Sequence, residues 1–241
     1  MKKYDFRAGE MLLIHKPLTW TSFQVVNKLK YMIKHHPSLL LDGKRVEAKV
    51  GHAGTLDPLA TGLLIVCTGK QTKNIEQYQA QEKEYTGTFY IGAATPCYDL
   101  EKEIDAYYPT EHITPELIVE TTKQFTGKIQ QTPPLFSAIK INGKRAYDIA
   151  RAGLTAEIKP KEITITEFEI TRIALPEIDF RVVCSKGTYI RSLARDFGLA
   201  LNSGGHLIAL CRTRIGSYEL KDAMSIEEFE QTLKSDEVSE K

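Results

Sequence analysis

One carboxylate set among turn-forming residues offers this chain its clearest opening for chemistry. It lies in Gly51-His52-Ala53-Gly54-Thr55-Leu56-Asp57-Pro58-Leu59-Ala60-Thr61-Gly62. Gly51, Gly54 and Gly62 permit backbone geometries that a Cβ resists. Pro58 fixes its own φ and pushes Asp57 out of helical geometry. Asp57 is therefore expected on a rigid, non-helical loop, its side chain aimed by the backbone. The apolar run Leu63-Leu64-Ile65-Val66-Cys67 follows at once and would anchor that loop in a core. A carboxylate held this way can serve as a nucleophile or stabilise charge. The same residues also suit an Asx-turn that merely shapes a loop, and the segment alone leaves both readings open.

The elements needed to position such a loop are legible on both sides of it. Met11-Leu12-Leu13-Ile14-His15 reads as a buried strand stopped by Lys16-Pro17. Ser22 is expected to cap a helix with Val25, Val26, Leu29 and Ile33 on its apolar side. Residues 36–48 read as a loop, and a polar helix is expected over 72–79. Residues 85–91 form a β-rich run, and Thr114-Pro115-Glu116 opens a helix with Leu117, Ile118 and Phe125 inward. Asn142-Gly143 between short apolar stretches is a strong hairpin signal, with a short helix expected over 145–152. Strands are expected over 163–173 and 178–184, then a helix over 188–201 and a last strand over 206–215. Ser225-Ile226-Glu227-Glu228 resembles a capping box before a final helix, and the last residues read as disordered. Strands and helices mix without regular βαβ spacing, so the expected class is α+β with a mostly antiparallel sheet.

Composition narrows the function classes. The 241 residues suit one large domain or two closely packed lobes. The N-terminus has no apolar signal-peptide core, and no apolar run approaches the roughly 20 residues of a membrane span, so a cytoplasmic protein is expected. Cys67, Cys97, Cys184 and Cys211 are widely spaced, as reduced and mostly buried thiols would be. No His or Cys spacing fits zinc. Pro96-Cys97 lacks the second Cys of a zinc deaminase, so no metal is expected. The net charge of +1 divides into +6 over residues 1–218 and −5 over 219–241, a basic body with an acidic tail that suits a nucleic-acid partner.

The run Gly-His-x-Gly-x-Leu-Asp-Pro-Leu-Ala-Thr-Gly closely resembles the catalytic motif of the TruB family, the tRNA pseudouridine-55 synthases. The resemblance implies the pseudouridine synthase fold, with a mixed, mostly antiparallel central sheet, flanking helices and an RNA-gripping insertion at about 125–155. It implies that Asp57 is the catalytic aspartate of a uridine isomerase. Lys186-Gly187-Thr188-Tyr189-Ile190-Arg191 is similar to a second family motif, whose Arg pairs with that aspartate, so Arg191 is implied as the cation. Tyr85 matches the active-site Tyr that stacks on the flipped base. His52 matches a residue that contacts RNA, Leu210 an apolar residue lining the uracil site, and Asp99 an acidic position near it. Lys16-Pro17 matches a Lys-Pro motif that braces the active site, and Lys16 is grouped with the substrate- and RNA-binding residues. Lys140, Lys144, Arg145 and Arg151 resemble the cations of the insertion and suit phosphate contacts. Arg212 and Arg214, alternating on one strand, could meet phosphates or water.

Pseudouridine formation detaches uracil, rotates it and rejoins it through carbon. It exchanges no electrons and spends no high-energy bond, so no cofactor, nucleotide or metal is expected. The expected partner is the T-arm of tRNA, met by a monomer. Residues 1–217 are expected as the catalytic domain and 218–241 as a short acidic helix and tail, without the PUA domain of longer relatives. Two other classes compete. Gly69-Lys70-Gln71-Thr72 suggests a phosphate loop, but Leu64 stands where its first Gly is needed and Gln71 follows the Lys. The alternative is an RNA-binding or RNA-folding protein without catalysis, against which the set Asp57, Tyr85 and Arg191 argues.

Overall fold

The computed structural model describes residues 3–137, 139–141, 143–147, 152, 154 and 156–238. By packing, the chain divides into two units, residues 1–83 with 211–241, and residues 84–210. Among the described residues no helix is long and apolar enough to cross a membrane.

In the first unit the strand Met11–Lys16 alternates, with Leu12, Ile14 and Lys16 turned inward. It pairs antiparallel with Ala60–Thr68, from Met11 opposite Cys67 to Lys16 opposite Gly62. Leu63 to Cys67 are fully buried, so that strand is covered on both faces. Val50–His52 pairs with its far end. The helix Ser22–Ile33 buries Val25, Val26, Leu29 and Ile33 as the spacing predicts.

Its cap is Thr21, however, and not Ser22. The Thr21 hydroxyl accepts from the Gln24 amide at 3.1 Å, and the Gln24 side chain accepts from the Thr21 amide at 2.7 Å. This frees the Ser22 hydroxyl for another partner. The expected loop at 36–48 holds a 3-10 turn, Pro37–Leu39, and a two-stranded ribbon, Leu40–Leu41 paired with Lys44–Arg45. Asp42 and Gly43 both have positive φ, the geometry of the tightest hairpin turns. The expected polar helix begins as a 3-10 segment, Gly69–Asn74, and becomes α-helical only over Ile75–Ala80.

The C-terminal helix Ile226–Val238 has the capping box expected of it, with Ser225 and Glu228 bonded reciprocally at 2.7 and 3.1 Å. Ile226, Phe229 and Leu233 join Tyr4, Phe6 and Leu29 in the core. Asp236 accepts from the Tyr4 amide at 3.1 Å and meets His36 Nε2 at 3.2 Å.

In the second unit Lys161–Ala174 pairs antiparallel with Glu177–Cys184 on one side and Gly127–Gln131 on the other. Lys83–Ile91 lies next to Glu177–Cys184 in the sheet order, followed by residues 205–210. Phe89 stacks on Phe180 with ring centroids 4.1 Å apart, and Phe168 and Phe197 pack edgewise or tilted around them. Helix Pro115–Thr122 is capped by Thr114 and buries Ile118, whereas Leu117, expected inward, is exposed. The helix expected over 188–201 runs Ile190–Ala200. Lys140–Ile141 pairs with Lys144–Arg145, as the Asn-Gly signal predicts. Arg151, most of the expected 145–152 helix and residues 239–241 lie outside the described residues. The architecture is α+β, and the strand pairs with a defined register are antiparallel.

Candidate active site

The Asp57 loop of the first unit is tethered at four points along its backbone. Leu56 is held twice by Ser22, whose hydroxyl accepts from the Leu56 amide at 2.8 Å and donates to its carbonyl at 3.2 Å. The Pro58 carbonyl accepts from the Thr19 amide at 2.8 Å and from Lys16 Nζ at 3.4 Å. Arg212 Nε donates to the Leu63 carbonyl at 2.8 Å, and Arg212 Nη2 to the Gly54 carbonyl at 3.1 Å. The loop closes on itself where the Ala60 amide donates to the Asp57 carbonyl at 3.1 Å. Asp57 itself is half-buried. The arrangement turns a short loop into a rigid mount for one carboxylate.

Lys16 belongs to that mount. It is fully buried, and its ammonium also donates to the carbonyls of Pro17 and Trp20. The strand's period of two explains the burial, since Lys16 shares the inward face with Leu12 and Ile14. Burial lowers its pKa to about 8; the Asp57 carboxylate pulls it back up and the Arg212 guanidinium pushes it down.

Arg212 also departs from expectation. It is 1% exposed and spends its donors on the loop, so it meets neither phosphate nor water. Arg214 donates to the Gly216 carbonyl at 2.9 Å and pairs with Glu82 at 3.3 Å. Gly62 shows why the loop ends in glycine. Its φ is +110°, and a Cβ there would stand 2.3 Å from the Arg212 carbonyl oxygen. His52 points a buried Nδ1 that has no hydrogen-bond partner. Burial, with Arg212 adding to it, holds His52 below the usual imidazole pKa against an opposing backbone contact at Gly54.

In the second unit Arg191 sits in the first turn of Ile190–Ala200 and is buried, unlike an ordinary helix-surface Arg. Its Nη1 donates to the Cys97 carbonyl at 3.2 Å and its Nη2 to the Phe136 carbonyl at 2.9 Å. Nε lies 3.5 Å from Asp99 Oδ2. Asp99 is itself 3% exposed and caps the Glu101 amide at 3.0 Å. Its place is therefore beside Arg191.

The turn before Asp99 is built for this. Tyr98 has a φ of +66°, its carbonyl accepts from the Leu207 amide, and Arg195 lies over its ring at 4.7 Å while donating to its hydroxyl. Gln131 fixes the start of the helix by bonding both the amide and the carbonyl of Tyr189. Tyr98, Gln131, Arg195 and, in the first unit, Ser22 and Arg212 are supporting residues whose roles were not foreseen. Only the Arg212-x-Arg214 alternation was a signal for any of them.

Tyr85 is 9% exposed on the same strand face as Phe89, and Leu210 is half-buried on the strand Gly205–Ile215. The backbone of Lys140, Lys144 and Arg145 forms the hairpin, beside which Phe136 and Tyr147 meet edge to face at 6.2 Å. The structure thus groups Asp57, Lys16 and His52 with Arg212 in one unit, and Arg191 with Asp99 in the other. Among the described residues no cluster of His, Cys, Asp and Glu could hold a metal ion.

Residues 43–190 match the model of the TruB family pseudouridylate synthase N-terminal domain, and residues 191–241 match that of the tRNA pseudouridylate synthase B C-terminal domain. The tRNA pseudouridine synthase B of Flavobacterium johnsoniae is 62% identical over 97% of this chain and all of its own length. That of Phocaeicola vulgatus is 57% identical over 98% of each. Among solved structures, a Cbf5-Nop10-Gar1 complex contains a chain 27% identical, with a TM-score of 0.69 over 94% of this chain and 55% of that one.

Proposed function

The chain belongs to the TruB family of pseudouridylate synthases, and from that premise we propose that it is a tRNA pseudouridine synthase, an isomerase that converts uridine 55 of the T-loop. A single chain engages the T-arm. The target base leaves its stack at a cost of a few kcal/mol and enters the site. Asp57 is the catalytic carboxylate, the group that attacks or stabilises charge as uracil leaves its sugar. Arg191 is the cation of the reaction, Tyr85 the aromatic surface for the flipped base, and Leu210 an apolar wall for uracil. His52 contacts the RNA. Lys140, Lys144, Arg145 and Arg151 meet phosphates. Lys16 and Asp99 act at one remove, by bracing the Asp57 loop and orienting Arg191.

The observation that carries this reading is the mount. Nothing in ordinary loop closure calls for Ser22, Lys16 and Arg212, three buried polar side chains, to converge on the backbone either side of one carboxylate. The test is tritium release from C5-labelled uridine in an unmodified tRNA transcript, with Asp57→Asn alongside. The proposal expects one tritium released per tRNA by the wild type, and tRNA binding without release by the variant. Binding without release by the wild type would leave an RNA-binding protein and overturn the assignment.

A further inference from the structure

The outer face of the helix Ser22–Ile33 carries a pattern that the Asp57 site does not use. Phe23, Asn27, Lys30, Tyr31 and Lys34 are all exposed and recur at the three- and four-residue intervals that align side chains into one stripe. Phe23 and Tyr31 are 67% and 72% exposed. Single exposed apolar residues are ordinary. Two aromatics sharing a stripe with lysines, opposite a well-formed apolar face, are not what a merely solvated helix face presents.

The stripe starts at Phe23, next in sequence to the Ser22 that holds Leu56. It ends about 16 Å away at Lys34, at 1.5 Å per residue. The ribbon Leu40–Leu41/Lys44–Arg45 follows in sequence, all four residues exposed. The Lys30–Glu47 pair at 3.0 Å ties the segment after the ribbon to the helix. Residues 28–49 hold six Lys or Arg against Asp42 and Glu47, and Glu47 is already engaged by Lys30. The face is cationic with aromatic planes at intervals, the chemistry that meets phosphates and unstacked bases together.

We propose that this helix face and ribbon form a second RNA surface, which holds a stretch of the substrate outside the target stem-loop through stacking on Phe23 and Tyr31 and phosphate contacts at Lys34, Lys44 and Arg45. The inference rests on the synthase reading above. Its occupant is RNA because the charge is complementary to phosphate.

The test compares a full tRNA transcript with the isolated T-arm stem-loop, using Phe23→Ser/Tyr31→Ser and Lys44→Glu/Arg45→Glu double variants. These surface changes should leave the melting curve unchanged. Each variant is expected to bind full tRNA about tenfold more weakly, with kcat at saturation and conversion of the stem-loop both unchanged. The charge-reversal variant should also lose about one to two from the slope of log K against log salt. Wild-type affinity and slope in both variants would overturn the proposal. So would an equal loss on the isolated stem-loop, or altered self-association with RNA affinity intact, which would make the face a contact with a second copy. Failure of the wild type to convert either RNA would refute the synthase reading instead.

Discussion

Ser22→Ala isolates the idea that the Asp57 loop works because its backbone is tethered. The Ser22 hydroxyl bonds the Leu56 amide at 2.8 Å and its carbonyl at 3.2 Å, in a site where Ser22 is 2% and Leu56 3% exposed. Alanine leaves the Leu56 amide buried without that partner, which costs about 1–3 kcal/mol. Alanine in the first helical turn returns up to about 0.5 kcal/mol in propensity. The net loss should be about 0.5–3 kcal/mol, or roughly 1–12 °C in Tm for a chain of this size. The functional loss should be larger than the stability loss suggests. A displacement of about 1 Å at a reacting group can cost about a hundredfold in rate. We expect kcat for tritium release to fall some 10- to 100-fold with KM for tRNA nearly unchanged, since Ser22 is buried away from RNA. Hydrogen exchange should show lost protection at Leu56. A variant that melts early yet keeps wild-type kcat would refute the reasoning, because the tether would then stabilise the fold without aiming Asp57. Unchanged Tm and unchanged exchange at Leu56 would show that the bond contributes nothing.

Three further outcomes follow from the same geometry. Burial lowers the Lys16 pKa from 10.5 to about 8, so between those values the unfolded chain holds more protons than the folded one, and stability should rise with pH. Urea unfolding from pH 8 to 10 should show the wild type gaining on Lys16→Met, and parallel curves would contradict the assignment. Gly62→Ala places a Cβ 2.3 Å from the Arg212 carbonyl oxygen at a φ of +110°, so Tm should fall by more than about 4 °C and activity should be lost, as melting and tritium release would register. Asp99→Asn removes the carboxylate 3.5 Å from Arg191 Nε while keeping its shape; kcat should drop about tenfold or more with tRNA affinity intact, and an unchanged kcat would dismiss Asp99 as an orienting group.

Much of this protein was determined locally and could be read without a structure. The Asp57 loop is legible because Gly54 and Gly62 can take the positive φ its turns need and Pro58 fixes its own φ. The strand at Met11 and the helix faces at Val25 and Ile118 follow from periodicity, and the cap at Ser225 and hairpin at Asn142-Gly143 from short-range hydrogen bonding and turn geometry. The family motif runs are contiguous and therefore visible. What the sequence did not decide is where each polar side chain spends its bonds. Ser22 looked like a cap because helix starts favour serine, yet Thr21 caps and Ser22 reaches a loop 34 residues on. Lys16 and Asp99 can be singled out by resemblance, but only the fold shows both buried against backbone or a counter-charge. Arg212 and Arg214, two residues apart on one strand, look alike, yet one lies beneath the Asp57 loop while the other is only partly buried. Hydrogen bonds between distant segments depend on which backbone groups the fold leaves unpaired, and that is known only once the chain has packed.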